Sequence, residues 1–269
     1  TIRYLVEQRR GLHWARHAGA KAAQGHVLAY TDDDAIADED WLSELVRAYQ
    51  LLDADCAGGK IMIRWDQQPP RWVLPYENTL GRLDYGPEMR LLKTGEFING
   101  GNFSIRRARL WEIGGFNPDQ IGDRLIGDGE TGLCRKIHQA NWRMAWVPGA
   151  LVWHRQRAEK NATLRDMKRR FANNGVCTAY AYCRKHHPGE LHMLRKAAHS
   201  LWQTVEHKIH AFRHYPSGRP AYYQHELRAS YHLSEARYFW RLLSDDELRQ
   251  LVLREDWLRE DEWLCPSDS

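Results

Sequence analysis

The sequence predicts an α/β domain over residues 1–155, followed by a mainly α-helical region over residues 156–269. Three observations carry this. Short apolar runs alternate with helical periodicities up to about His154, the pattern of strands interleaved with helices. One of those runs, His26–Thr31, passes directly into Asp32, Asp33 and Asp34, and open α/β sheets bind ligands where strands end. From Gln156 onward strand signals fade, and Arg, His, Trp and Tyr recur at helical spacing.

Taken in order, Thr1–Val6 has strand character, and Gly11–Gln24, with Leu12, Ala15, Gly19 and Ala22 near one face, predicts a helix stopped by Gly25. With the His26 strand these make a βαβ unit, which implies parallel pairing. Asp38 is the expected cap of a helix whose apolar face is Trp41, Leu42, Leu45, Val46 and Tyr49. A strand is expected over Ala57–Ile63 and a long irregular excursion over Trp65–Lys93. Another strand is expected over Phe97–Arg106, where Gly100 and Gly101 mark either a bulge or a close approach to backbone. Leu110–Asn117 predicts a short helix and Ile126–Ala140 a longer one, with Asp128 and Glu130 at its start. A carboxylate there is either a partner of the helix dipole or a general base held on a rigid element. Arg143–His154 predicts two short strands about Pro148-Gly149. Beyond them, helices are expected over Leu164–Tyr182, Glu190–Phe212 and Tyr222–Trp263, with a loop at Tyr215–Pro220.

Adjacent aspartates repel one another, so the triplet is either a solvated acidic turn or a site for a hard divalent cation, which takes oxygen ligands. The net charge of +4 is small beside 39 basic and 35 acidic residues, so charge balance alone does not argue for nucleic acid, and no nucleic-acid partner is expected. No run of residues is apolar enough to span a bilayer. Five cysteines without a C-x-x-C pair predict reduced thiols and a cytoplasmic setting.

The ordered segments GLHWARHAGAKAAQGHVLAYTDDDAIADEDWL, INGGNFSIRR, GGFN, GDGETGLCRKI and NWRMAWVPGALVWH resemble the inverting family-two glycosyltransferases of GT-A fold, in particular the bacterial enzymes that extend surface polysaccharides. The resemblance spans Arg9–His154. It implies that Asp32 and Asp34 are the outer residues of a D-x-D motif, Asp34 a direct ligand of Mn²⁺ or Mg²⁺ and Asp32 nearer the ribose or the metal's water shell, with Asp33 pointing away. It implies His154 as a further metal-site residue, Gly101 and Asn102 beside the donor sugar, and Arg155 and Arg157 on the pyrophosphate. Glu130 aligns with the family's catalytic base, and Asp128 is its rival. The implied partners are a nucleotide-diphosphate sugar and a saccharide or lipid-linked acceptor, at the inner face of a membrane with peripheral contact to it. The family's first strand and its Pro-x-Tyr-Asn motif are expected before the part seen here. An amino-terminally truncated sheet is therefore the expectation, and a non-catalytic remnant or binding module is the alternative function.

Overall fold

The structure, a computed structural model, describes residues 2–121, 124–215 and 220–258. As the sequence predicts, a mixed α/β sheet is followed by a helical region. Helix α1 (Leu12–Ala22) precedes strand β1 (Val27–Thr31), a tight turn and strand β2 (Ala35–Ala37). Helix α2 (Trp41–Leu52) leads to β3 (Cys56–Trp65). The excursion that follows holds a 3-10 turn (Leu74–Leu80) and the two-residue β4 (Arg90–Leu91). Then come β5 (Asn102–Arg106), α3 (Arg107–Glu112), a small ribbon of β6 (Gln120–Ile121) and β7 (Arg124–Leu125), α4 (Gly129–Gln139) and β8 (Met144–Gln156). The sheet runs β1-β5-β3-β8-β2, with β4 also on β8. Only β3 and β8 pair in parallel, and the other pairings are antiparallel.

Apolar side chains close both faces of this sheet. On one side Leu28, Phe103, Ile105, Leu110, Phe116, Leu133 and Ile137 pack together beneath α1, α3 and α4. On the other, Trp41, Leu45 and Ala48 of α2 pack on Ala57, Trp146 and Val152. Four further helices, α6 (Leu164–His186), α7 (Glu190–His214), α8 (Pro220–Ser244) and α9 (Asp246–Leu253), follow the short α5 (Ala158–Asn161). Val73 and Leu80 of the excursion pack with Met167 and Leu227, and Trp72 stacks on Tyr223 with ring centroids 4.2 Å apart, so the loop is the joint between sheet and helices.

Several local expectations change. Residues 2–6 form no strand, and Ile2 and Tyr4 stand in solvent, so the expected βαβ unit is absent and β1 is an edge strand. A strand needs a hydrogen-bonding neighbour, and these residues have none in the sheet. Strand character begins at Asn102 instead of Phe97, because Gly101 N donates to Asn99 Oδ1 in a turn, at 3.0 Å. Asp38 does not cap α2: its carboxylate accepts from Asp40 N at 3.3 Å, the helix starts at Trp41, and Leu42 and Val46 face solvent. The two strands expected around Pro148-Gly149 are one strand, interrupted where Gly59 pairs with Val147 and Ile61 with Val152. Helix α6 continues to His186. The carboxyl-terminal helix expected through Trp263 divides at Asp245, whose side chain caps α9 by accepting from Leu248 N at 2.9 Å, and residues 259–263 lie outside the described residues.

Candidate functional site

The acidic triplet is a reversal of the chain. Ala35 N donates to Asp32 O at 3.1 Å, closing a turn that sends β2 back along β8. The register sets Ala35 opposite His154, and Arg155 N donates to Asp34 O at 2.9 Å. Two residues 120 positions apart thereby meet: Asp34 Oδ1 lies 3.2 Å from His154 Nε2. The buried Gln156 sets its amide nitrogen 3.1 Å from the same ring nitrogen, while its own carbonyl oxygen has no partner among the described residues. Gly81 passes close to the ring at φ +101°, where a Cβ would lie 3.0 Å from His154 Nδ1.

Asp32 turns the other way. It faces Arg16, a buried arginine of α1 whose Nη2 is 4.0 Å from Asp32 Oδ1 and whose Nη1 is 3.3 Å from Glu130 Oε2. Burial raises the pKa of Asp32; Glu130 and Asp34 push the same way, and the charges of Arg16 and His154 oppose them. The two glycines in INGGN make this arrangement possible. A Cβ on Gly100 would lie 2.1 Å from Arg16 Nη2, and one on Gly101 2.8 Å from Asp32 Oδ2. Gly101 thus lies beside the acidic turn.

Asn102 is in the core. Its amide donates to Lys60 O at 3.1 Å and Ala150 O at 2.6 Å and accepts from Trp41 Nε1 at 2.8 Å, which ties β5, β3, β8 and α2 together. Those three bonds occupy the side chain. Asp128 is likewise engaged: its carboxylate is closed off from solvent between Asn117, which donates at 3.0 Å, and Arg135. Burial raises its pKa against those partners. Glu130, on the first turn of α4, remains partly open beside Arg16. Gly129 between them adopts φ +48°, a left-handed conformation that favours glycine.

A cleft of about 720 Å³ opens on the Asp34 side, lined by Asp33, Asp34, Arg64, Arg155, Arg157 and Lys160 among others. Asp33 lines it too, because residues 33 and 34 lie in the turn and the alternation of an extended strand does not apply. Arg64 and Arg155 are paired neighbours on β3 and β8. Among the described residues, none of these four cations has a carboxylate within ion-pair distance. Sequence reasoning missed Arg16, Gln156 and Arg170. Arg170, from α6, is largely buried close enough to Asp34 to feel its charge, and donates to Asn161 Oδ1 at 3.3 Å. A charged residue inside the otherwise Ala-rich Gly11–Gln24 helix was the available signal for Arg16.

Among the described residues no three His, Cys, Asp or Glu side chains converge on a ready-made metal site. Asp34 and His154 nonetheless offer two donor atoms 3.2 Å apart, the spacing of adjacent ligands around a cation held at roughly 2.1 Å. A carboxylate oxygen beside an imidazole nitrogen is a donor pair for a divalent transition-metal ion such as Mn²⁺ that completes its shell with phosphate oxygens and water.

Residues 1–114 match the family model described as Glycosyl transferase family 2. The match includes Arg16, Asp32, Asp34, Gly100 and Gly101, while Glu130 and His154 lie beyond it. The chain is similar to the glucosyl-dolichyl phosphate glucuronosyltransferase of Haloferax volcanii, 28% identical over 162 residues, which is 58% of this chain and 51% of that protein. It is also similar to polypeptide N-acetylgalactosaminyltransferase 10 of Rattus norvegicus, 25% identical over 175 residues, 57% of this chain and 28% of that one. A crystal structure of GalNAc-T7 with UDP, GalNAc and Mn²⁺ matches loosely, at a TM-score of 0.41 and 22% identity, over 65% of this chain and 37% of that one. The chain thus spans about half the length of the archaeal relative and less of the others.

Proposed function

We propose that this chain transfers a sugar from a nucleoside diphosphate donor to a hydroxyl of a saccharide or lipid-linked acceptor, inverting the anomeric centre in a single displacement. The observation that carries the reading is the arrangement about one turn: the Asp34–His154 pair opens on a cleft of unpaired cations, and Glu130 is held beside Asp32 through Arg16. Glu130 accepts the acceptor hydroxyl's proton as its oxygen forms the new bond to the anomeric carbon. The bond to the diphosphate breaks, and its electron pair leaves with the nucleoside diphosphate. Arg155 and Arg157, with Arg64, are the groups that take up the developing negative charge. Asp34 and His154 would hold Mn²⁺ or Mg²⁺, which when bound neutralises charge on the leaving group.

The acceptor class leaves room for the bacterial surface-polysaccharide setting that the motifs imply, in the cytoplasm at the inner face of a membrane. Peripheral contact with that membrane is part of the same proposal; among the described residues no helix is long and apolar enough to cross one.

Isothermal titration of the intact protein with UDP-, GDP- and dTDP-sugars tests the proposal. One donor should bind in the presence of Mn²⁺, and Asp34→Asn or His154→Ala should weaken that binding by at least about tenfold. Absence of metal-dependent binding for every donor overturns it. Binding without turnover on any acceptor would favour a binding module.

A further inference from the structure

Helix α7 has two apolar faces, and among the described residues only one of them is covered. Its inner face, Met193, Ala197, Ser200, Thr204 and Ala211, is buried and consists of mostly small residues that let the helix lie close along α8. The outer face carries the large side chains: Leu191, Leu194, Leu201, Trp202, Val205, Ile209 and Phe212 are between 44% and 80% exposed. With Ala198 they recur at the spacing of a helix–helix seam along a 25-residue helix about 37 Å long.

The order of that stripe is the informative feature. From Leu191 the steps inward to Leu194, Ala198 and Leu201 are 3, 4 and 3 residues. From Trp202 outward to Val205, Ile209 and Phe212 they are again 3, 4 and 3. The stripe is symmetric about the Leu201–Trp202 bond. A two-fold antiparallel pairing of the helix with itself therefore sets Leu191 against Phe212, Leu194 against Ile209, Ala198 against Val205, and Leu201 against Trp202, apolar on apolar at every rung. In the same register Glu190 meets Arg213, a pair of opposite sign. Arg195 meets Lys208, a like-charged pair in which Lys208 shares the carboxylate of Glu226 with Lys168 of its own chain. A membrane surface would take an apolar stripe of any order and has no use for a palindrome.

Area argues the same way. At these exposures, side chains of on the order of 200 Å² each leave roughly 800 Å² of apolar surface per chain, the share one partner contributes to a standard specific interface. Self-complementarity about a two-fold axis is the property an isologous dimer interface requires.

We infer that the outer face of α7 is the dimer interface of this protein, occupied by the same helix of a second copy running antiparallel. Sedimentation velocity of the intact protein at micromolar concentration should give twice the monomer mass. Leu201→Glu with Trp202→Glu should return it to the monomer with its helical circular dichroism unchanged. The register is tested separately by a variant carrying both Ala198→Cys and Val205→Cys. These positions, two turns apart on one helix, are too distant to bridge within a chain, so oxidation should yield a covalent dimer, whereas Leu191→Cys alone should not. A monomeric wild-type protein overturns the inference, as does a dimer that the glutamates leave intact or a covalent dimer from Leu191→Cys. A monomer that sediments with anionic vesicles through this stripe would assign the face to lipid instead.

Discussion

The two sides of the acidic turn are built differently, although Asp32 and Asp34 are only two residues apart. On the Asp32 side the charged groups are engaged: Arg16 spans Asp32 and Glu130, and Gly100 and Gly101 are shaped to the guanidinium and the carboxylate. On the Asp34 side the carboxylate's one ion-pair partner among the described residues is His154, and the surrounding cations line an open cleft. The closed side is assembled before any ligand arrives, as a proton-accepting group needs. The open side acquires its counter-charges from what it binds. If that contrast is real, damage to the closed side should cost turnover and damage to the open side should cost donor affinity.

The largest expected effect tests that division at its centre. Glu130→Gln keeps the size of the side chain and a contact to Arg16 but cannot accept a proton. It should lower kcat by about 10²- to 10⁴-fold, with the donor affinity measured by titration unchanged. Equal loss in both quantities would show that Glu130 belongs to donor binding. Full activity would return the base role to Asp128, against its burial between Asn117 and Arg135.

A smaller effect comes from a change that removes no functional group. Gly100→Ala adds a methyl group 2.1 Å from Arg16 Nη2, the mobile end of a long side chain, so Arg16 must move and Glu130 with it. Turnover should fall between about 10- and 100-fold while the thermal midpoint shifts little, because misplacement of a positioned group by an ångström is felt in rate before stability. An unchanged kcat would mean that Arg16 is only a structural filler.

The local pieces of this arrangement were legible and its assembly was not. Helix α1, strand β1 and helix α4 show in the sequence because apolar periodicity is a local property. The Asp34–His154 contact depends on the pairing of β2 with β8 across more than a hundred residues, and a three-residue strand of Ala, Ile and Ala gives almost no signal of its own. The glycine pair correctly announced a close approach to backbone, but what approaches is Arg16 and Asp32 of the same chain. Asn102 and Glu130 looked alike as polar residues near a turn. Only their hydrogen bonds separate them, three committed to the sheet core in one case and a single ion pair at a cleft in the other.

The closed side also predicts the smallest effect, in stability. His17, one residue beyond Arg16, is fully buried and accepts from Phe116 N at 2.9 Å through Nε2, which fixes it as a neutral ring. Burial first, and then the charges of His13 and Lys136, hold its pKa down at about 3. In the unfolded chain it takes up a proton near pH 6.5, so its contribution is complete above that pH and is lost as pH falls from about 6.5 toward 3. Between pH 7.5 and 5.0 the wild-type protein should lose about 2 kcal/mol more in urea unfolding than His17→Gln, whose carbonyl can accept the same backbone hydrogen bond without titrating. Parallel pH profiles for the two proteins would show that the ring is protonated in the folded state. The closed side would then be less dry than its packing implies.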